Sequence, residues 1–198
     1  MTAQSRKAAI ERKTSETEIQ LEIDLDGKGR YTVDTGVPFF DHMLELFSKH
    51  SGIDLSLKAR GDIEVDFHHT VEDVGICLGQ AVEQAIGGGG GIRRYGQALL
   101  PMQEVLCQAA LDICGRAYLV YHVKGLAHKV GQFDVELAKD FFQALASNAK
   151  ITLHINLEYG ENQHHIIEAI FKAVARALRE AVEVIGDKTE IPSTKGVL

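Results

Sequence analysis

The feature that most constrains this chain is a five-residue pattern that occurs twice. His68-His69-Thr70-Val71-Glu72 and His164-His165-Ile166-Ile167-Glu168 share the spacing His-His-x-x-Glu. Apolar residues at helical spacing follow each copy, so each copy is predicted to begin a helix. On a helix the glutamate lies four residues after the first histidine and three after the second, and it therefore neighbours both. Two such copies predict a repeated structural unit.

The segments before the two patterns also resemble each other. Phe39-Phe40 lies in a predicted helix from Phe39 to Lys49, and Phe141-Phe142 lies in another from about Asp134 to Ser147. One further strand region separates each of these helices from its His-His-x-x-Glu pattern. Aligning the phenylalanine pairs and the histidine pairs requires one short gap. We therefore predict an internal duplication of a β-β-α-β-α unit.

Alternating apolar residues indicate the strands of each half. The predicted strands cover residues 19–25 and 31–33, joined as a β-hairpin, then 53–57, 63–65, 105–113, 118–123 and 151–157. The helices that carry the histidine patterns are predicted from about Thr70 to Ile86 and from about His164 to Val184. This order favours an α+β fold in which each half has a mainly antiparallel sheet with helices on one face. The halves, about 1–92 and about 93–198, would form a single domain.

The composition excludes several classes of protein. A net charge of −7 argues against nucleic-acid binding, which usually requires a basic face. No apolar run approaches the length of about 18 residues that a transmembrane helix requires. Residues 1–16 are polar and lack the apolar centre of a signal peptide. Three cysteines without a CxxC pair indicate reduced thiols. The chain is therefore predicted to be cytoplasmic, without a nucleic-acid or membrane partner.

Six histidines and two glutamates form the candidate metal site. Adjacent histidines on a helix diverge by about 100°, so one pattern can serve two different ions. His42 and His154 lie upstream of the two patterns and complete two sets of three histidines and one glutamate. The pseudo-symmetry of the halves predicts His42, His69, Glu72 and His165 around one ion, and His68, His154, His164 and Glu168 around the other. Nitrogen and carboxylate ligands without thiolates suit manganese, iron or zinc, and the ligands alone do not choose among them.

Longer motifs around these residues resemble one known family. They are Phe40-Asp41-His42-Met43-Leu44, Asp66-x-His68-His69-Thr70-x-Glu72-Asp73, Asn162-x-His164-His165-x-x-Glu168-Ala169-x-Phe171-Lys172-Ala173, Pro192-Ser193-Thr194-Lys195-Gly196-Val197-Leu198 and Arg12-x-Thr14-x-Glu16-Thr17. Over nearly its whole length the chain is similar to the imidazoleglycerol-phosphate dehydratases. Gln103, Ala117 and Asn156 stand where that family usually has aspartate, proline and arginine, and the ligand motifs are unchanged.

The resemblance implies a hydro-lyase of histidine biosynthesis. Such an enzyme converts imidazoleglycerol phosphate to imidazoleacetol phosphate, with the substrate's imidazolate bound by two metal ions. The resemblance further implies two Mn²⁺ per active site, active sites between subunits and a homo-oligomer of 24 chains. Glu16 and Glu168 are the catalytic candidates for moving protons. The candidate substrate-binding residues are Glu16, Arg94, Arg116, Lys172, Ser193, Thr194 and Lys195, because guanidinium and ammonium groups suit phosphate.

Two other functions agree with the same set of ligands. A two-metal phosphoester hydrolase would use the ions to activate water against an ester, and the arginine and lysine motifs would then bind the phosphate. A non-catalytic shell protein would use the ions only to join subunits. Formation of imidazoleacetol phosphate without release of free phosphate distinguishes the dehydratase from both.

Overall fold

The computed structural model describes residues 6–126, 128–187 and 189–198. These residues form strands and helices in the order β1 (Lys7–Lys13), β2 (Thr17–Asp24), β3 (Tyr31–Asp34), α1 (Pro38–Ser51), β4 (Asp54–Gly61), α2 (His68–Ile86), β5 (Tyr95–Met102), β6 (Val105–Ile113), β7 (Tyr118–His122), β8 (Lys129–Val130), β9 (Phe133–Asp134), α3 (Leu137–Ala149), β10 (Ile151–Tyr159) and α4 (Gln163–Ala181). None of the described helices is both long enough and apolar enough to cross a membrane.

Two four-stranded sheets have the same strand order. The first is β1-β2-β4-β3 and the second is β5-β6-β10-β7. In each sheet two of the pairings are antiparallel, and the last strand pairs in parallel with its neighbour. The short hairpin of β8 and β9 belongs to the second half alone. The predicted α+β fold, with an internal duplication and mainly antiparallel sheets, is confirmed.

The repeated unit nevertheless contains one strand more than the predicted β-β-α-β-α unit. The repeated unit is β-β-β-α-β-α, because β1 and β5 precede the strands that the apolar pattern indicates. Both are edge strands. An edge strand has one free side and tolerates charged residues and proline. The charged residues of β1 and Pro101 in β5 therefore weaken the sequence signal without preventing the strands.

The predicted hairpin between residues 19–25 and 31–33 is wrong. β2 lies between β1 and β4, whereas β3 pairs in parallel with β4 on its far side. Asp54 at the start of β4 accepts hydrogen bonds from the backbone N–H groups of Lys28 (2.7 Å) and Arg30 (2.9 Å). These bonds fix the connection that carries the chain past β4. A hairpin-like turn in the sequence therefore leads to a crossover in the fold.

The predicted strand at residues 63–65 is also wrong. These residues form a turn, in which the Val65 N–H donates to the carbonyl oxygen of Asp62 at 2.8 Å. Ile63 and Val65 are exposed. The alternation of apolar residues at this point reflects two exposed side chains rather than a buried strand face.

The helices pack across the two halves, α1 against α4 and α2 against α3. The contact between α2 and α3 is close at Gly75, where a side chain would come within 2.7 Å of the carbonyl oxygen of Phe141. The aromatic core continues this packing, since Phe141 stacks on Phe171 and meets Phe40 edge-on. Each pair of facing helices therefore combines one helix that begins with a histidine pattern and one from the other half.

The register between the halves differs from the predicted one. α1 ends at Gly52 and α3 at Lys150, both in the left-handed region with φ of 78° and 54°. When these ends are matched, every buried residue of α1 falls on a buried residue of α3. His42 then corresponds to Asp140. The alignment of the two phenylalanine pairs is displaced by about one helical turn, a shift that leaves most of the buried face in place.

Candidate metal and substrate site

Both histidine patterns begin at the first turn of their helix. The side-chain oxygen of Asn162 accepts hydrogen bonds from the backbone N–H groups of His164 (3.0 Å) and His165 (3.3 Å), which is a typical N-cap arrangement. Asp66 accepts from the N–H of His68 at 2.7 Å. The two adjacent rings are nearly perpendicular in both patterns, at 87° and 83°. Neighbouring histidines therefore face different surroundings, as the helical spacing predicts.

The first cluster consists of His42, His164 and Glu168. One ligand atom from each residue lies within 4.8 Å of the others. His42 comes from α1 and the other two residues from α4, so the packing of these helices forms the cluster. His164 Nε2 is 3.2 Å from Glu168 Oε2. Two imidazoles and a carboxylate fit a divalent transition-metal ion.

Lys172 supports the carboxylate of the first cluster. Its ammonium group donates a hydrogen bond to Glu168, one helical turn earlier, and lies 3.3 Å from the sulfur of Met102. Burial on its own raises the pKa of Glu168, but the hydrogen bond and charge of Lys172, with the charges of His164 and His42, lower this pKa overall. Glu168 is therefore ionised at neutral pH and available as a ligand.

The second cluster consists of His68, Glu72 and Asp140. His68 Nε2 is 3.9 Å from Glu72 Oε2, and His68 Nδ1 is 3.7 Å from Asp140 Oδ2. Because Asp140 corresponds to His42, the duplication relates the two clusters. Sequence reasoning missed Asp140, since the phenylalanine pairs set the wrong register and an aspartate in a first helical turn is ordinary.

Within one chain these clusters group the histidines differently from the predicted division of the ligands, which stays a prediction. The sequence predicts His42 beside Glu72, whereas the structure places it beside His164 and Glu168. In both clusters the first histidine of a pattern keeps its own glutamate and gains a residue from the facing helix. The physical reason is the packing of α1 on α4 and of α2 on α3, which the sequence pattern does not encode.

The second histidine of each pattern meets carboxylates outside the clusters. His69 Nδ1 is 3.1 Å from both oxygens of Asp62, and His69 Nε2 is 3.8 Å from Glu16 Oε1. His165 Nδ1 is 2.9 Å from Glu104 Oε2. The hydrogen bond with Asp62 raises the pKa of His69. The hydrogen bond with His165 is the largest of the causes that lower the pKa of Glu104 to about 2.

Glu16 and Glu104 occupy equivalent turns. Glu16 directly precedes β2 and Glu104 directly precedes β6, the second strand of each half. The sequence reasoning selected Glu16 and missed Glu104. The internal repeat contains the signal for Glu104, but it is visible only when the first strand of each half is recognised.

His154 lies apart from both clusters in the described chain. It occupies the middle of β10 and is exposed, whereas its neighbours Leu153 and Ile155 are buried. Successive side chains of a strand point to opposite faces. His154 therefore points away from the buried sheet face on which the helices pack. Its role as a metal ligand stays a prediction.

The other candidate substrate-binding residues lie near the C-terminal end of α4, whereas His164 and His165 lie at its N-terminal end. They are Arg94, Arg116, Ser193, Thr194 and Lys195. The backbone N–H of Arg94 donates to the carbonyl oxygen of Ala181 at 2.9 Å, which places Arg94 at the C-terminal end of α4. At a rise of 1.5 Å per residue, this end is roughly 25 Å from His164.

The C-terminal tail packs at this same end of the fold. The Arg94 guanidinium donates to Asp112 (2.7 Å) and to the carbonyl oxygen of Pro192 (2.7 Å). A side chain at Gly115 would come within 2.8 Å of the carbonyl oxygen of Leu198. The tail is therefore docked, with its first and last residues held beside Arg94 and next to Arg116.

Comparison with known proteins identifies the family. The family model of imidazoleglycerol-phosphate dehydratase matches residues 35–178. The chain belongs to this family. The imidazoleglycerol-phosphate dehydratase of Oceanobacillus iheyensis is 56% identical over 193 residues, covering 98% of this chain and 100% of the relative. That of Desulforamulus reducens is 57% identical over 194 residues, covering 98% and 99%.

Solved structures of the dehydratase family share the fold. The crystal structure of the imidazoleglycerol-phosphate dehydratase from Staphylococcus aureus superposes with a TM-score of 0.82 at 40% identity, covering 90% of this chain and 99% of that one. A structure from Pyrococcus furiosus gives 0.81 at 34% identity, covering 96% and 100%.

The departures from the usual dehydratase pattern lie outside both clusters. Gln103 occupies the turn beside Glu104 with φ of 49°. Ala117 follows Arg116 in the exposed connection before β7, and Asn156 lies in β10. Of these three residues, Gln103 is next to Glu104, which contacts His165.

Proposed function

We propose that this protein removes water from imidazoleglycerol phosphate to form imidazoleacetol phosphate in histidine biosynthesis, and that it does so in the cytoplasm. The observation that carries the proposal is the first cluster, in which two imidazoles and an ionised carboxylate converge within 4.8 Å in a chain of the dehydratase family. At the equivalent histidine of the first half, two carboxylates face different nitrogens of one ring, Glu72 at 3.9 Å from His68 Nε2 and Asp140 at 3.7 Å from His68 Nδ1.

We assign two Mn²⁺ ions to each active site. His42, His164 and Glu168 would hold one ion. His68 and Glu72 would contribute to the other, with Asp140 beside the second nitrogen of the His68 ring. His69 and His165 lie outside the clusters of their own chain and are assigned to the clusters of neighbouring chains. Bound metal would supply Lewis-acid stabilisation to the substrate's imidazole ring.

Two glutamates of the chain are assigned different roles in the reaction. Dehydration requires removal of a carbon-bound proton and protonation of the departing hydroxyl. Glu168 is buried and held by Lys172, which suits a fixed ligand. Glu16 is half exposed and lies 3.8 Å from His69 Nε2. We therefore assign proton transfer to Glu16 and metal binding to Glu168.

A complete site requires more than one chain. Within one chain, Arg94 lies roughly 25 Å from His164, so a small substrate bound at a cluster does not reach both. Lys172 is the candidate phosphate ligand beside the first cluster. We propose that Arg94, Arg116 and the tail of a neighbouring chain complete the phosphate site, in a homo-oligomer of 24 chains as the family resemblance implies.

The decisive experiment follows both products of the candidate reactions. Manganese-loaded protein incubated with imidazoleglycerol phosphate should form imidazoleacetol phosphate and release no free phosphate. Release of phosphate would select the two-metal hydrolase. Absence of both products from fully loaded protein would select the metal-linked shell.

The proposed assembly has a separate test. Ligands shared between chains couple metal binding to association. Chelation should therefore reduce the particle mass measured by light scattering. An unchanged mass after metal analysis has shown complete removal would contradict the coupling.

A further inference from the structure

A buried polar network lies beneath the turn that carries Glu16. Asp73 is 6% exposed. The Thr17 hydroxyl donates a hydrogen bond of 2.5 Å to Asp73 Oδ2, and the Arg12 guanidinium lies 2.9 Å from Asp73 Oδ1. Burying a carboxylate is unfavourable unless it is paired and hydrogen-bonded. Both oxygens of Asp73 have such a partner.

The network joins the two parts of the molecule that meet at His69. Thr17 directly follows Glu16 in the chain, and Asp73 lies one helical turn after His69 on α2. The hydrogen bond between Thr17 and Asp73 therefore fixes the turn relative to the helix. Glu16 is 3.8 Å from His69 across this junction.

The turn itself is held by further hydrogen bonds. Thr14 Oγ1 accepts from the backbone N–H groups of Glu16 (3.1 Å) and Thr17 (3.0 Å). The carbonyl oxygen of Glu16 accepts from the N–H of Asp62 at 3.1 Å, and the Asp62 carboxylate contacts His69. A displacement of Thr17 is therefore transmitted to the backbone of Glu16.

The second half shows that the fold does not need this network. Thr17 and Val105 each begin the second strand of their half, and Asp73 and Ala169 each follow the glutamate of a histidine pattern. The position equivalent to Arg12 is Leu100, opposite Cys107 in the strand pairing as Arg12 is opposite Ile19. Apolar residues thus occupy the equivalent positions in the second half, so the same backbone arrangement forms there without Thr17, Asp73 and Arg12.

We infer that Thr17, Asp73 and Arg12 are positioning residues that hold Glu16 in its place beside His69, where it would transfer protons of the substrate. This inference rests on the role proposed above for Glu16. The Arg12-x-Thr14-x-Glu16-Thr17 motif and Asp73 then share one role, which is to fix the position of Glu16.

The first experiment compares substitutions of Thr17 with a matched control. Thr17→Val removes the hydroxyl with little change of shape, and Thr17→Ser keeps it. Ser48→Ala is the control, because the fully buried Ser48 hydroxyl donates a comparable bond to the carbonyl oxygen of Ile53 at 2.6 Å, at the far end of α1. Thr17→Val should lower kcat by roughly tenfold, with KM and manganese content within about twofold of the parent. Thr17→Ser and Ser48→Ala should retain the parental kcat.

The second experiment tests whether Thr17 acts through Glu16. Glu16→Gln should abolish most activity, and Thr17→Val added to it should cause no further loss of kcat, because coupled residues are not additive. An equal loss from Thr17→Val in both backgrounds, or an unchanged kcat in the single variant, would overturn the inference. An active Glu16→Gln variant would overturn the role of Glu16 instead, and the inference with it.

Discussion

The two halves of the molecule differ little in backbone and strongly in the polar residues around their histidine patterns. Their sheets share one strand order, and their helices α1 and α3 share one buried register. The first cluster, however, has two imidazoles and one carboxylate, and the second has one imidazole and two carboxylates. The duplicated backbone supplies equivalent positions, and single substitutions such as Asp140 for His42 decide the donor atoms. A carboxylate-rich site is the better match for manganese, and an imidazole-rich site for zinc.

Loss of the first histidine of either pattern should give the largest effect. His164→Ala removes a ligand from the first cluster, and His68→Ala makes the matched change in the second. Each is expected to lose one metal ion per chain. Each should lower kcat by more than the ~10–100-fold that removal of a ligand-orienting residue causes. Metal analysis beside the product assay checks this, and a parental metal content in either variant would refute that cluster.

Asp140 and His154 provide the sharpest test of the second cluster. Asp140→Ala should weaken manganese binding by roughly 10–100-fold. Asp140→His recreates the donor set of the first cluster and should bind metal with a preference shifted toward zinc. His154→Ala is the comparison variant. Loss of the ion from the His154 variant, with Asp140→Ala unaffected, would favour the ligand set predicted from the sequence.

Substitution of Glu104 tests whether the turns that carry Glu16 and Glu104 have the same role. Glu104→Gln removes the carboxylate that contacts His165, and the manganese concentration for half-maximal activity should rise about tenfold. Because the pKa of Glu104 is about 2, the carboxylate is ionised at any pH at which the enzyme is assayed. A change in the charge of Glu104 therefore contributes nothing to any difference between pH 6 and pH 8. A variant with lost kcat but parental metal binding would instead assign Glu104 a role in proton transfer.

Asp54 provides a test of the difference between the two halves at a position away from the metal site. We expect its substitution to have the smallest effect of those described. The hydrogen bond from Arg30 is the largest of the causes that lower the pKa of Asp54 to about 2, and the equivalent position in the second half is the non-ionisable Thr152. A lowered pKa in the folded state stabilises the fold above the usual carboxyl pKa of about 4, and this contribution disappears as the pH falls through about 2. Asp54→Asn should destabilise the metal-free protein by about 1 kcal/mol at pH 7. Urea unfolding should show the difference from the parent vanishing in acid, and a constant difference would disprove this cause.

Local spacing predicts the parts of the site that belong to one helix. The position of each glutamate beside the first histidine of its pattern and the contact between Lys172 and Glu168 follow from helical geometry, and the structure contains both. The duplication also follows from the sequence, because two identical patterns recur in one order. These features depend on residues close together in the chain.

Features that depend on packing between elements are the ones the sequence does not reveal. The pairing of α1 with α4 decides that His42 joins His164, and no local pattern reports it. β1 and β5 escape detection because edge strands bury few side chains. The repeat of buried residues along a helix allows a one-turn slip, and the left-handed caps at Gly52 and Lys150 are needed to remove it and reveal Asp140.

The length of α4 has a genetic consequence. It separates the histidine pattern of a chain from the tail of the same chain, so the proposed site takes these parts from different copies. A chain without its tail and a chain without its first histidines would then fail alone for different reasons. Assembled together, they would form some sites in which both contributions are intact. Two inactive alleles of this protein would therefore complement each other in one cell, and chains that lack only the tail would disable a share of the sites equal to their share of the chains.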